Sequence, residues 1–398
     1  MQYIVIIPDG MADEPVEELG GRTPLDAART PAMDTLVKWG RCGLVRTIPP
    51  GCEPGSDAAN LSLLGYDPRK YITGRAPLEA ASIGVDLRAD EVAFRCNLVT
   101  LGDGVMVDYS AGAIGSSEAA ELIAAVQAEL GGSDFNFYAG VSYRHLMVSS
   151  IDGLERARCT PPHDILGQPV EKYLPRGGGA ASRLQELIAR SPEVLAGHEV
   201  NSVRVDLGEN PANSIWLWGQ GRRPEMDTFE ERFGVTGAMI SAVDLLRGIG
   251  IYLGFEVIDV PGATGGLDTD YAAKGRAAVE ALENHQFVFV HVEATDEAGH
   301  SGNADEKLHA IEEVDEKVVT PVLERVQGQP GFRVLVVADH PTPVAVRTHT
   351  ADPTPFVIFG EGVEHNGADR MTEAEASGTG LLIKRGHDLM GGFLEENS

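Results

Sequence analysis

Asp9 follows the apolar run 2–7, and Asp296 and His300 follow the run 287–292 in Glu293-Ala-Thr-Asp-Glu-Ala-Gly-His300. Asp339 and His340 come directly after 333–338, and His349 stands in Thr348-His-Thr-Ala-Asp-Pro353, just ahead of another apolar run at 355–359. Carboxylate mixed with imidazole suits Mn, Zn, Co or Fe(II) and suits Mg less, because Mg prefers oxygen ligands. With one hydroxyl added, these ligands suffice for two ions, the arrangement that clamps attacking and leaving oxygens in phosphoryl transfer. The hydroxyl is Ser56. It sits in the glycine-bounded stretch 51–65, where Pro54 and Gly55 make a turn, Ser56 or Asp57 can cap, and 58–64 reads helical until Gly65. Such a hydroxyl lies among unpaired backbone N–H groups at the positive end of a helix dipole, where anionic oxygens are favoured. Each residue also has a plain structural reading: Ser56 as an N-cap, Asp9 as a turn former before Gly10, Asp296 and Asp339 as helix caps, His300 or His349 as core histidines. Their recurrence at one strand end after another favours a shared site. The remaining histidines, among them His163, His285 and His291, lack this pattern and read as structural or exposed.

For these side chains to meet, the apolar runs must be neighbouring strands whose ends share an edge. The runs 2–7, 287–292 and 333–338 are nearly continuous, as expected of strands buried on both faces of a mainly parallel sheet, whose carboxyl edge is where ligands bind. Short strands are expected at 44–48, 255–260 and 355–359. Thr30-Pro31 opens a helix that runs through Trp39 to a stop at Gly40, and further helices are expected from 237 through 246, over 270–282 and over 304–326. Between these lies a segment of different texture, with a hairpin around Gly102-Asp-Gly104, a helix over 117–130, a strand pair within 135–148 and a Pro/Gly-rich passage at 160–179. The expected architecture is therefore α/β, a mainly parallel sheet with helices on both faces. Residues 1–84 and 236–398 form the metal-binding domain, and 85–235 an inserted α+β domain.

Composition narrows the partners. A chain of 398 residues is long for one domain, and 43% hydrophobic with 23% charged residues is a globular balance. The net charge of −28 argues against nucleic acid or an anionic membrane surface as partner. An acidic protein that binds a small phosphate ester must concentrate positive charge locally, through metal ions and a few arginines. Cys42, Cys52, Cys96 and Cys159 are scattered with no C-x-x-C pair, so a reduced cytoplasm is the expected compartment. No apolar run approaches the ~20 residues of a membrane helix.

Several segments, taken in order, carry a resemblance: Ile7-Pro-Asp-Gly-Met-Ala-Asp13, Pro54-Gly-Ser-Asp-Ala-Ala-Asn-Leu-Ser-Leu-Leu-Gly-Tyr-Asp-Pro68, Thr73-Gly-Arg-Ala-Pro-Leu-Glu-Ala80, Asp296 through His300, Ala338-Asp-His340 and Thr348-His-Thr350. The chain resembles the archaeal-type branch of the cofactor-independent phosphoglycerate mutases, within the alkaline phosphatase superfamily, over nearly its whole length. The resemblance implies interconversion of 3- and 2-phosphoglycerate through phosphorylated Ser56, without 2,3-bisphosphoglycerate. It implies that Asp9, Ser56, Asp339 and His340 hold one divalent ion and Asp296, His300 and His349 the other, manganese first, with zinc, cobalt or magnesium as alternatives. It also implies that the inserted domain is a cap that holds the substrate. Candidate contacts there are Arg144, His145, Arg204, Arg222 and Arg223, with Lys274 from the metal-binding domain. In Asp108-Tyr-Ser-Ala-Gly-Ala-Ile114 the resemblance leads one to expect a histidine where Ala113 stands, which leaves open the acid or base contributed by the cap. The alternative activities are a related phosphotransferase, homoserine kinase-like, or a phosphatase.

Overall fold

The computed structural model describes residues 1–177 and 179–395. The chain divides into two compact units, one of Met1–Ile72 with Glu225 onward, the other Thr73–Pro224.

In the larger unit eight strands lie in the order Leu382–Ile383, Arg41–Val45, Thr354–Gly360, Phe332–Val337, Gln2–Pro8, Phe287–Val292, Gly237–Ile240 and Glu256–Val257. The central strands are parallel, and only Thr354–Gly360 runs against its neighbours. Side chains on both faces are buried, for example Ile4, Val5, Val288, Phe289, Val334 and Leu335, which is why these strands read as continuous apolar runs. Their register sets the site. Pro8 pairs with Val292 and Ile6 with Val336, so Asp9, Glu293 and Asp339 all leave the sheet at one edge.

Several boundaries differ from expectation. Residues 237–240 are a strand paired to 287–290 rather than a helix, and the helix begins only at Asp244–Tyr252. A side chain at Gly237 would come within 2.9 Å of the Phe287 carbonyl oxygen, so glycine permits that pairing. The strand expected at 44–48 lies at Arg41–Val45, and that at 255–260 shrinks to Glu256–Val257. The helix expected over 304–326 is two, Ala304–Val314 and Thr320–Val326, joined by a π turn at Asp315–Val319. Pro321 has no N–H to offer the preceding turn, and the extra residue of the π turn accommodates it. At this turn the Asp315 carboxylate accepts the N–H groups of Ala32 (3.1 Å) and Met33 (2.7 Å), orphan donors at the start of the helix Pro31–Trp39.

The smaller unit is built on one antiparallel sheet. Val92–Gly102 pairs with Arg144–Ser149 on one side and Ser214–Arg222 on the other; Asn136–Val141 lies beyond Arg144–Ser149, and Val105–Asp108 closes a hairpin. Alternation along Val92–Gly102 sends Phe94, Cys96 and Leu98 into a core shared with the helices Ser116–Leu130 and Ala181–Leu195. Ala93 points the other way, with Leu146 and Val148, under Ala76 and Ala80 of the helix Ala76–Ser82.

These contacts move the expected unit boundaries of 85 and 235 outward and inward to 73 and 224. The helix Ala76–Ser82 belongs with the sheet it covers. Phe229, at the other junction, packs in the larger unit against Phe287 (4.6 Å between ring centroids), Phe233 (4.8 Å) and Phe255 (5.0 Å). Among the described residues no helix is long and apolar enough to cross a membrane. Because Phe229 is fully buried in that aromatic cluster, Phe229→Ala should cost about 3–5 kcal/mol, read as a lower urea midpoint at unchanged slope.

Candidate functional site

Asp9 is the first residue past the strand Gln2–Pro8, held there by its own N–H to Val292 O (3.0 Å). Gly10 follows with φ of +63° and donates its N–H to Asp339 Oδ1 at 3.0 Å. A Cβ at Gly10 would fall 2.6 Å from Asp296 Oδ1, so the chain approaches the site there as only glycine permits.

Ser56 is the first residue of the helix Ser56–Leu63, with Gly55 in the capping position. Its hydroxyl does not cap that helix. It donates to Asp9 Oδ2 at 3.3 Å and lies 3.2 Å from His340 Nε2, which sets aside the plain N-cap reading. One turn on, Asn60 Nδ2 donates to both Ser56 O (2.9 Å) and Asp339 Oδ2 (2.8 Å), fixing the serine's backbone to the opposite strand end.

Asp296 and His300 lie one turn apart on the helix Ala294–Ser301, so both face one side. His300 Nε2 is 3.1 Å from Asp296 Oδ2 and 2.9 Å from His349 Nε2, and His349 Nε2 is 3.5 Å from Asp296 Oδ1. The two groups adjoin: the rings of His340 and His349 are 4.1 Å apart, and Thr342 bonds to both Asp296 Oδ1 and His340 Nδ1.

All three imidazoles are arranged alike. His300 Nδ1 donates to Arg347 O (3.0 Å), His349 Nδ1 to Pro54 O (3.4 Å) and His340 Nδ1 to Thr342 Oγ1 (3.3 Å). With each Nδ1 engaged, each Nε2 turns inward to the carboxylates, as second-sphere bonds orient histidine for a cation. Bonds of ~2 Å to a tetrahedral ion would set ligand atoms roughly 3.3 Å apart, close to the separations seen. Asp9 Oδ1 is buried without a hydrogen-bond partner, an orphaned acceptor that a cation would satisfy. Asp9–Asp339–His340 and Asp296–His300–His349 each form a cation-sized group, with ligand atoms within 4.8 Å of one another. The residues present therefore fit two divalent ions.

Charge in the site is strongly perturbed. Burial, then the charges of Asp339, Asp296 and Glu293, push the Asp9 carboxyl well above its ordinary range. Burial likewise lifts Glu293 to about 8, with Asp296 and Asp339 adding to it. Asp296 goes the other way: burial opposes, but hydrogen bonds with His300 and His349 outweigh it and hold the carboxylate well below the usual range. The same bond to Asp296 raises His300 to about 9.

Sequence reasoning passed over four contributors: Asn60, Thr342, His291 and Glu293. His291, read as structural or exposed, is fully buried with Nε2 3.0 Å from Asp9 Oδ2. A histidine inside the apolar strand Phe287–Val292 needs a buried partner, and that was the available signal.

The expected substrate contacts fare differently. Arg204 is corrected to a structural residue: it is 2% exposed, paired with Glu118 and Glu209, and bonded to the carbonyls of Ala111 and Asn210. Lys274 is fully buried, donates to the carbonyls of His291 (3.3 Å) and Thr264 (3.4 Å), and is lowered by burial to about 8. His145 lies buried, its Nδ1 accepting from Gly140 N, and burial lowers it to about 4. Arg222 pairs with Glu155 and Arg223 with Asp86, while Arg144 is exposed beside the Tyr143 ring. Ala113 adopts φ of +50°, and its methyl side chain provides no acid or base.

Comparison with known proteins gives this geometry a family. The family model described as 2,3-bisphosphoglycerate-independent phosphoglycerate mutase matches residues 38–201. The 2,3-bisphosphoglycerate-independent phosphoglycerate mutase of Methanosarcina acetivorans is 52% identical over 393 residues, covering 98% of this chain and 99% of its own. Among solved structures, a Pyrococcus horikoshii protein superposes with a TM-score of 0.84 at 31% identity, covering 100% of this chain and 98% of its own. The cofactor-independent phosphoglycerate mutase of Thermoplasma acidophilum gives a TM-score of 0.71 at 29% identity, covering 99% and 98%. With identity above half sustained from end to end, the chain belongs to the 2,3-bisphosphoglycerate-independent phosphoglycerate mutase family.

Proposed function

We propose that this protein interconverts 3-phosphoglycerate and 2-phosphoglycerate by passing the phosphoryl group through Ser56, with no requirement for 2,3-bisphosphoglycerate. The observation that carries the reading is the position of the Ser56 hydroxyl, turned away from its own helix and held between Asp9 and His340. Asp9, Ser56, Asp339 and His340 would hold one divalent ion and Asp296, His300 and His349 a second, manganese suiting this oxygen and nitrogen set. When bound, such ions lower the pKa of a hydroxyl and neutralise charge on phosphoryl oxygens.

The chain's own residues supply the rest. Ser56 Oγ attacks phosphorus in line, forming the serine ester as the bond from phosphorus to the 3-oxygen of glycerate breaks. Asp9 Oδ2, already accepting from that hydroxyl, is placed to take its proton. The N–H groups of the first turn of Ser56–Leu63 face the transferred group, and Asn60 keeps that turn against Asp339. Asp9 passes the serine proton to the departing 3-oxygen; the 2-hydroxyl of the same glycerate then attacks the phosphoserine, the bond from phosphorus to Ser56 Oγ breaks, and Asp9 relays the 2-hydroxyl proton to the serine oxygen. Glycerate must stay bound between the two steps and water must stay out, or the phosphoserine hydrolyses. The inserted unit Thr73–Pro224 is proposed as the cap that serves both needs. Interior metabolism in the cytoplasm fits such a substrate.

Ser56→Ala should lower turnover of 3-phosphoglycerate by at least about three orders of magnitude, as loss of a covalent nucleophile does. Ser62 is the control on the same helix. It is fully buried, its hydroxyl has no hydrogen-bond partner, and it packs toward Gly386, so Ser62→Ala should leave turnover within about twofold and stability nearly unchanged. Enolase-coupled turnover, with mass-spectrometric mapping of the phosphopeptide, checks both; phosphate on Ser62 or an active Ser56→Ala protein would overturn the reading.

Exhaustive chelation should abolish turnover, and Mn or Co should restore it better than Ca, because His300, His340 and His349 offer nitrogen to a site that a large hard cation uses poorly. Full turnover in protein shown free of metal would contradict the two-ion site.

A further inference from the structure

Among the described residues of the larger unit, Arg347 is the one non-glycine residue in the left-handed region, with φ of +59°. It ends a tight turn in the loop between His340 and His349, where the N–H groups of Val346 (2.9 Å) and Arg347 (2.8 Å) both donate to Pro343 O. Glycine or asparagine is the usual residue at such a stop, because a Cβ there crowds the carbonyl oxygen that follows. Arg347 is exposed, so burial does not force the conformation on it. A backbone outlier of this kind calls for a reason in what it positions.

What it positions is its own carbonyl, which accepts from His300 Nδ1 at 3.0 Å. A φ of about −65° would swing that carbonyl roughly 120° away about the N–Cα bond. The loop crosses the helix Ala294–Ser301 at two glycines close to one turn apart. A Cβ at Gly299 would fall 2.9 Å from Thr342 Cβ, and one at Gly302 would fall 2.8 Å from Arg347 Cζ, so loop and helix approach as only glycine permits. At the first crossing Thr342 bonds to Asp296; at the second the Arg347 carbonyl holds His300, whose Nε2 lies 2.9 Å from Nε2 of His349, two residues further along the loop. One backbone group thus fixes a ligand on the helix against a ligand on the loop. The other cation-sized group is held differently: Asp9 and Asp339 follow paired strands, and His340 Nδ1 bonds to Thr342 within its own loop.

We propose that Arg347 is a positioning residue for one of the two cations alone: its left-handed backbone aims the carbonyl that orients His300, and so completes the group of Asp296, His300 and His349. The inference rests on the two-ion reading above. A residue that merely ended a turn would affect stability, or both ions together. A residue that orients His300 through its carbonyl affects the ion at His300 and spares the one at His340.

The test uses the full-length protein with Mn alone as the probe. Arg347→Pro fixes φ near −65°, whereas Arg347→Asn removes the guanidinium but accepts the left-handed backbone. Paramagnetic resonance of free Mn gives the two affinities, and anomalous peaks from crystals soaked at limiting Mn give the occupancy of each group. We expect Arg347→Pro to weaken the ion at Asp296, His300 and His349 by about tenfold or more, with the ion at Asp9, Asp339 and His340 changed by no more than about twofold; Arg347→Asn should keep both within about twofold. Should Arg347→Pro fail to fold, Arg347→Val takes its place with the same expectation, because a branched Cβ resists positive φ. Equal weakening of both ions, unchanged occupancies in the folded Pro or Val variant, or a loss in Arg347→Asn as large as in that variant would overturn the assignment. A wild-type protein that binds fewer than two ions would instead sink the two-ion reading, and metal-free crystal structures then decide the positioning separately. A His300 ring bonded to the residue 347 carbonyl in wild type and Arg347→Asn but rotated away in the Pro or Val variant supports it; a ring unmoved in that variant overturns it.

Discussion

Three carboxylates, Asp9, Asp296 and Asp339, are buried within electrostatic reach of one another at a single sheet edge, with Glu293 beside them. Nothing in an apolar interior favours that, and the repulsion shows in the raised pKa values of Asp9 and Glu293. A fold that keeps such a group must supply positive charge to the same point. The two buried lysines are engaged at its margin: Lys274 donates to backbone carbonyls, and Lys307 pairs with Asp13. The inward Nε2 atoms of His300, His340 and His349 complete a donor set whose common complement is a divalent cation. Ser56 is placed at that same point, its hydroxyl between Asp9 Oδ2 and His340 Nε2.

The scaffold around the edge is built to hold this strained arrangement. Lys307 Nζ, fully buried, donates to Asp13 Oδ2 (2.7 Å), Thr342 O (2.8 Å) and Ala12 O (3.2 Å). One ammonium thus ties the loop after the first strand, which carries Asp9, to the loop after Phe332–Val337, which carries His340. Asp13 in turn accepts the Val344 N–H, and its own N–H goes to Glu373. A buried pair of this kind contributes little net stability, but removing one partner would leave an uncompensated charge, so it enforces the loop geometry. Asn60 and Thr342 act similarly at shorter range, each bonding two residues of the site at once.

Much of this was legible because parallel strands leave an unmistakable trace. The runs 2–7, 287–292 and 333–338 are apolar throughout, and a charged residue directly after each stands out. Asp9, Asp296, Asp339, His300, His340, His349 and Ser56 lie close together at that sheet edge. What escaped notice was of two kinds. Gly237–Ile240 read as helix because its strand character comes from pairing with Phe287–Val290, a tertiary contact that a window of sequence does not contain. Arg204 and Lys274 read as ligand contacts because basic residues in an acidic chain attract that reading, whereas their burial and their partners are properties of the fold. His291 was overlooked for the converse reason: its partner, Asp9, is 282 residues away.

We propose that the sheet edge holds two divalent cations, one at the group with His340 and the other at the group with His349. Anomalous diffraction from Mn-soaked crystals of the wild-type protein tests it most directly. It should show two peaks, one bounded by Asp9, Ser56, Asp339 and His340, the other by Asp296, His300 and His349. A single peak at saturating Mn, or density lying only against Asp9, His291 and Glu293, would contradict it.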